Sequence, residues 1–250
     1  MIVLAASPGS PLWYAARSAG VVSLMLLTAS LVLGMATSAR LELTSGSRFL
    51  LQGLHRSISL LVVIFLFLHI ATAVLDPFAG LGLRDALVPF ISAYRPLWLG
   101  LGVVAAELFV ALMVTSLLRP RLRLRWWRLV HWASYACWPA ALLHGIGTGS
   151  DSRSGWFFAL NALCVLVAAD AVIAIRILRS WPSAKRRRAA AAGLVALGVL
   201  GAAGFYAAGP AQPGWARAAG TPEQLLNGGS QPGVPAPSPA GVVQGSNPDR

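Results

Sequence analysis

Charged residues are scarce in this 250-residue chain. Asp, Glu, Lys and Arg make up 11% of it, and only eight residues are acidic. Ordinary soluble domains carry about 25% charge, so this chain cannot clothe a water-soluble globule of its size. Cysteine is nearly absent. Cys137 and Cys164 both lie inside apolar runs, which excludes a disulfide framework and marks them as small core residues. No segment joins a strand, a glycine-rich phosphate turn and a following helix, so no flavin or NAD(P) site is expected in this chain. The Gly145, Gly147 and Gly149 series reads instead as the end of a helix. No internal repeat is evident.

What the chain has in abundance is apolar length. Hydrophobic residues make up 56%, and uncharged runs at 18–39, 57–75 and 129–150 reach the roughly 20 residues that cross hydrocarbon. The pattern predicts an all-α, polytopic membrane protein, a six-helix bundle with spans near 13–38, 54–75, 96–118, 128–147, 155–179 and 189–208. The net charge of +12 comes largely from the connections. Of 20 Lys and Arg residues, fourteen fall in three segments between spans: Arg40, Arg48 and Arg56; Arg119, Arg121, Arg123, Arg125 and Arg128; and Arg176, Arg179, Lys185, Arg186, Arg187 and Arg188. Basic connections resist translocation, so these three are assigned to the cytoplasm and both termini to the outside. A nucleic-acid surface would need one continuous basic face, which this spacing does not provide. The partner implied is membrane lipid. A small-residue stretch at Thr37, Ser38 and Ala39 loosely resembles a signal cleavage site, but the apolar run is too long, Arg17 is the only preceding basic residue, and cleavage would export a basic loop. The first span is therefore expected to stay. The 76–95 connection contains Pro77, Gly80, Gly82 and Pro89, with an apolar piece at 86–91 suited to the interface. From residue 210 onward eight prolines and seven glycines occupy 41 positions, so 209–250 is expected to be a disordered external tail.

The chain has four histidines, and they come in pairs: His55 and His69 on the second span, His131 and His144 on the fourth. Neutral imidazole is the usual axial ligand of low-spin haem, and imidazoles buried in a bilayer need partners. Both spans run outward, so His55 and His131 share the cytoplasmic edge while His69 and His144 lie deeper toward the outside. Spacings of 14 and 13 residues are roughly 20 Å of helical rise, which stacks two sites across the membrane and keeps all four rings from meeting at one zinc ion. Phase is less simple. At about 100° per residue, 14 steps return within ~40° of the starting face but 13 steps miss by ~140°. Pro139, between the two histidines of the fourth span, is expected to kink that helix and help aim His144.

Together with the histidine pairs, LWYAARSAG at 12–20, LDPF at 75–78, YRPLWLGLG at 94–102 and LVHWASY at 129–135 resemble the ferric reductase-like transmembrane domain. That superfamily includes the membrane cores of NADPH oxidases and the haem subunit of a bacterial methionine sulfoxide reductase system. The resemblance covers roughly 12–180. It divides the chain into an external N-terminus at 1–11, the haem domain at 12–180, a basic loop with the sixth span at 181–208, and the tail. It implies two b-type haems between the second and fourth helices, His55 with His131 on one iron and His69 with His144 on the other. It also implies a multi-pass protein of a bacterial cell membrane that passes electrons from a cytoplasmic-side donor to an external acceptor. The donor would be a separate flavoprotein or a membrane quinol, and the acceptor ferric iron or a redox protein. The alternatives are a quinol-fed haem subunit serving a separate extracytoplasmic reductase, and a haem-free membrane scaffold or transporter.

Several other residues have two readings. Arg48, Arg56 and Arg128 stand where guanidinium groups pair with haem propionates, or they simply anchor the cytoplasmic side. Arg95 and Arg153 offer the same choice outside. Glu107 and Asp170, acids within spans, read as proton-handling groups or as hydrogen-bonded structural ones. Trp98, Trp126, Trp127, Trp156 and Trp181 fit an interfacial aromatic belt.

Overall fold

The computed structural model describes residues 10–39, 47–149, 154–178 and 185–226, and everything in them that is regular is helical. Helix α1 (Pro11–Ser38) begins where Ser10 Oγ accepts the Trp13 N–H at 3.0 Å and Pro11 presets the first turn. It pairs along its length with α2 (Ser47–Leu75). The 76–95 connection carries the short α3 (Leu83–Leu87) before α4 (Pro96–Leu117) starts. Next come α5 (Leu124–His131), α6 (Ser134–Thr148) and α7 (Gly155–Ala171), the last prolonged by a wider π turn at Val172–Leu178. Helix α8 (Lys185–Ala208) is the last long one. Helix α4 packs chiefly on α6, and α1 also touches α6 and α7, so α1 and α4 flank the histidine-bearing helices.

Two apolar clusters hold this arrangement. Val62, Ala105, Phe109, Leu112 and Cys137 join α2, α4 and α6, and Leu24, Leu142, Ile146 and Cys164 join α1, α6 and α7. Both cysteines are buried and unbridged, as their apolar surroundings suggest. Between helices, the half-buried Trp138 donates its Nε1–H to Thr28 Oγ1 at 2.9 Å. The outside is as apolar as the inside: Phe67, Leu117 and Leu194 are each about 70% exposed, and no residue of α8 is buried. A surface of this kind is stable only against lipid. Among the described residues, five helices are long and apolar enough to cross a membrane. The chain is a multi-pass membrane protein.

Two expectations need correction. The fourth expected span is not one helix but two, α5 and α6, separated at Trp132 and Ala133. Of the expected disordered tail, residues 209–226 are folded. This segment turns back after α8 through two short helices, α9 (Trp215–Ala218) and α10 (Glu223–Leu226), and buries Pro210, Trp215 and Ala219. Its glycines and prolines serve turns there, with Gly220 at φ +87°, and its few apolar side chains find a surface already built by α4 and α8. Residues 227–250, Arg40, Arg153, Arg179 and Trp181 lie outside the described residues.

Candidate functional site: two facing imidazole pairs

The fold brings the histidines together as their depths suggest. The ring centres of His55 and His131 are 6.5 Å apart with planes at 75°, and those of His69 and His144 are 6.0 Å apart at 78°. An imidazole bound through Nε2 places its ring centre about 3 Å from a metal, from a bond of about 2.0 Å plus about 1.1 Å to the ring centre. Two such rings on opposite sides of one metal would stand about 6.2 Å apart, close to both observed separations.

Part of the missing phase of the 13-residue spacing is made up between α5 and α6. Helix α6 runs unbroken through Pro139, and the interruption lies between the helices. There Ala133, Tyr135 and Ala136 donate their N–H groups three residues back, to Val130, Trp132 and Ala133, instead of four. Each residue of such tighter winding advances about 120° in place of about 100°, so a few of them recover roughly half of the missing ~140°.

Three of the four rings are held by their second nitrogen. His55 Nδ1 donates to Ser30 O at 2.9 Å, His69 Nδ1 to Ala16 O at 2.7 Å and His144 Nδ1 to Trp98 O at 3.0 Å. A carbonyl can only accept, so these bonds fix the proton on Nδ1 and leave the Nε2 lone pair free to bind a metal. This is the outer-shell arrangement of metal-ligating histidines. His131 is the exception: among the described residues its buried Nδ1 has no partner. It is stacked instead on Trp127 at 4.7 Å and 22°, with the Arg119 guanidinium 4.8 Å from the indole centre.

Glycine makes room for the anchored rings. A Cβ on Gly102 would lie 2.3 Å from His144 Nδ1, one on Gly20 2.9 Å from His69 Nδ1, and one on Gly34 3.3 Å from His55 Cε1. Gly20 and Gly34 are 14 residues apart on α1, the same step as His55 and His69 on antiparallel α2. That matched spacing is legible in the sequence, and it marks α1 as the wall behind the α2 ligands.

A cavity of about 290 Å³ lies beside His69 and His144. Arg17, Asp76, Asp85 and Tyr94 are among the polar residues lining it. Burial pushes the Tyr94 phenol above its ordinary value, against the opposing charges of Arg95 and Arg17. The arginine at this cavity is thus Arg17, which packs over Trp13 at 4.0 Å. Arg95 is spent elsewhere, buried and bonded to Gly147 O and Thr221 Oγ1. Arg48, Arg56 and Arg128 are exposed on α2 and α5. Glu107 and Asp170 also face outward from their helices and do not line the cavity. Trp126 and Trp156 are exposed as a belt requires, but Trp98 and Trp127 pack inside, against the returning segment and His131 respectively.

Residues 19–142 match the sequence profile of a family described as ferric reductase like transmembrane component. No curated protein and no solved structure matches the chain.

Proposed function

For a chain that belongs, through residues 19–142, to the ferric reductase-like transmembrane family, we propose transmembrane electron transfer by a b-type cytochrome that holds two haems. One observation carries the reading: two facing imidazole pairs, 6.5 and 6.0 Å between ring centres, with three of four rings anchored through Nδ1. His55 with His131 would hold one haem, and His69 with His144 the other. Bound there, haem supplies one-electron chemistry, ferric to ferrous and back, at two depths about 20 Å apart along α2.

The chain's own residues orient and insulate. The carbonyls of Ala16, Ser30 and Trp98 set the ring planes, and glycines on α1 and α4 let neighbouring backbones close over the imidazoles. The clusters around Val62 and Leu24 keep water out of the space between the pairs. In this reading α5 and α6 together make a sixth crossing, the Arg119–Arg128 connection faces the cytoplasm and both termini lie outside a bacterial cell membrane. A flavoprotein or a quinol delivers electrons on the His131 side, and ferric iron or a redox protein takes them on the His144 side. The scaffold or transporter reading draws no support from Glu107 and Asp170, since both face away from the cavity.

Haem quantified per purified chain, with a reduced-minus-oxidised spectrum, tests this. Two b haems are expected, and His69→Ala or His144→Ala should leave one. A chain without haem after haem-supplemented expression would overturn the reading.

A further inference from the structure

The segment after the last span returns to one particular place. Trp215 meets Trp98 at 5.2 Å between ring centres and Phe205 at 6.0 Å, and Phe205 itself meets Trp98 at 5.5 Å. Trp98 is thereby wedged between the returning segment and α6, so close to the latter that a Cβ on Gly147 would lie 2.2 Å from the indole. Its backbone carbonyl is the acceptor of His144 Nδ1.

Arg95 ties the same three parts. Its N–H donates to Gly220 O at 3.0 Å, its Nε–H to Thr221 Oγ1 at 2.8 Å and its Nη1–H to Gly147 O at 2.7 Å. To do so it adopts a left-handed backbone, φ 44° and ψ 61°, rare for a residue with a side chain and held only where the surroundings dictate it. It is 5% exposed, so burial lowers the pKa of its guanidinium, which two oxygen acceptors satisfy. The start of α4, the end of α6 and the returning segment are thus fixed relative to one another around the anchor of a single histidine. His55 and His69 take their anchors from α1 instead.

We propose that residues 209–226 form a positioning module for one ligand: Arg95 and Trp215, acting through Trp98, set the orientation of the His144 ring and with it the ligand geometry of the His69/His144 site alone. This rests on the haem reading above and extends it to a segment that the proline and glycine content had marked as tail.

The test uses the full-length haem-loaded protein and the low-spin ferric signals of its two haems in electron paramagnetic resonance, assigned through His144→Ala and His131→Ala. Trp215→Ala should shift or broaden the signal that His144→Ala removes, leave the other in place, and be rescued by Trp215→Phe. Thr221→Val, which deletes one Arg95 acceptor at little steric cost, should move the same signal in the same direction and serves where Trp215→Ala fails to accumulate. Two unmoved signals in Thr221→Val and Trp215→Ala, or equal changes at both haems, would overturn the proposal while leaving haem binding intact. Absence of haem from the unaltered protein would overturn the functional reading itself, and this proposal with it.

Discussion

Replacing each ring-facing glycine by alanine gives a graded test whose order is set by distance. Carbon atoms rest about 3.5–4.0 Å apart. A new Cβ at Gly102, 2.3 Å from His144 Nδ1, is therefore short by more than about 1 Å. At Gly20 the deficit against His69 is about 0.6 Å, and at Gly34 against His55 it is about 0.2 Å. The first cannot be absorbed without turning the His144 ring off Trp98 O, which adds a lost hydrogen bond of about 0.5–1.5 kcal/mol to an overpacking cost of about 1–3 kcal/mol. Alanine returns about 1 kcal/mol of helix propensity at every site. The balance is a loss of about 2 kcal/mol at Gly102, roughly 30-fold in affinity for a group held by that ring, about 1 kcal/mol or less at Gly20, and near zero at Gly34. Gly53, with nothing within 4 Å of its Cβ position, should tolerate alanine with unchanged or higher thermal stability. Haem per chain and Tm in detergent give the readout. Gly102→Ala should retain one haem, and the losses should rank Gly102, Gly20, Gly34, Gly53. A Gly102→Ala protein with both haems and native Tm would refute the reasoning.

Other perturbations separate packing from ligation. Trp138→Phe removes the donor to Thr28 Oγ1 but leaves that hydroxyl its own bond to Leu24 O, so it should cost about 0.5–1.5 kcal/mol and lower Tm by a few degrees without loss of either haem. Spectral changes in that variant would show that the bond does more than pack α6 on α1. In a competition for haem with an excess of an apo-globin, the haem held by His55 and His131 should leave first, by about 10–100-fold, identified by the signal that His131→Ala removes. Earlier departure of the other haem would contradict the unequal anchoring of the rings.

Much of this arrangement can be read from local properties of the chain. Apolar length announces α1, α2, α4, α7 and α8, and the pairing of His55 with His131 and His69 with His144 follows from depth alone. The misreadings of Trp98, Arg95 and the tail share a cause: each depends on contacts between residues far apart in sequence. The break at Trp132 and Ala133 carries no glycine or proline, and Pro139, the irregularity the sequence shows, lies inside the continuous α6. Trp98 and Trp127 look like belt residues until their neighbours are known. The 209–226 segment has the composition of a linker, yet Trp215 and Ala219 help to hold it once Trp98 and Phe205 offer a surface and Arg95 donates to Gly220 and Thr221. Arg95 reads as an interfacial cation, whereas the fold uses its fork of donors to join three strands of chain that are up to 126 residues apart.

The two imidazole pairs are nonetheless unequal, and the inequality follows from which helix stands behind each ring. Helix α1 supplies carbonyls and glycines to both histidines of α2, and the start of α4 supplies them to His144. By the time α4 reaches the depth of His131 it is ending, and the ring is met by an indole from its own helix, over which the Arg119 guanidinium stands. A stacked indole restrains tilt but accepts no N–H, so among the described residues the His131 ring lacks the acceptor that orients the other three. A ligand whose second nitrogen finds no carbonyl is also less basic than one bonded to a carbonyl. The site nearest the Arg119–Arg128 connection is therefore the looser of the two. Electrons entering from that side would meet the more adaptable site first and the rigid one second, the rigid one being the site whose geometry the returning C-terminal segment locks.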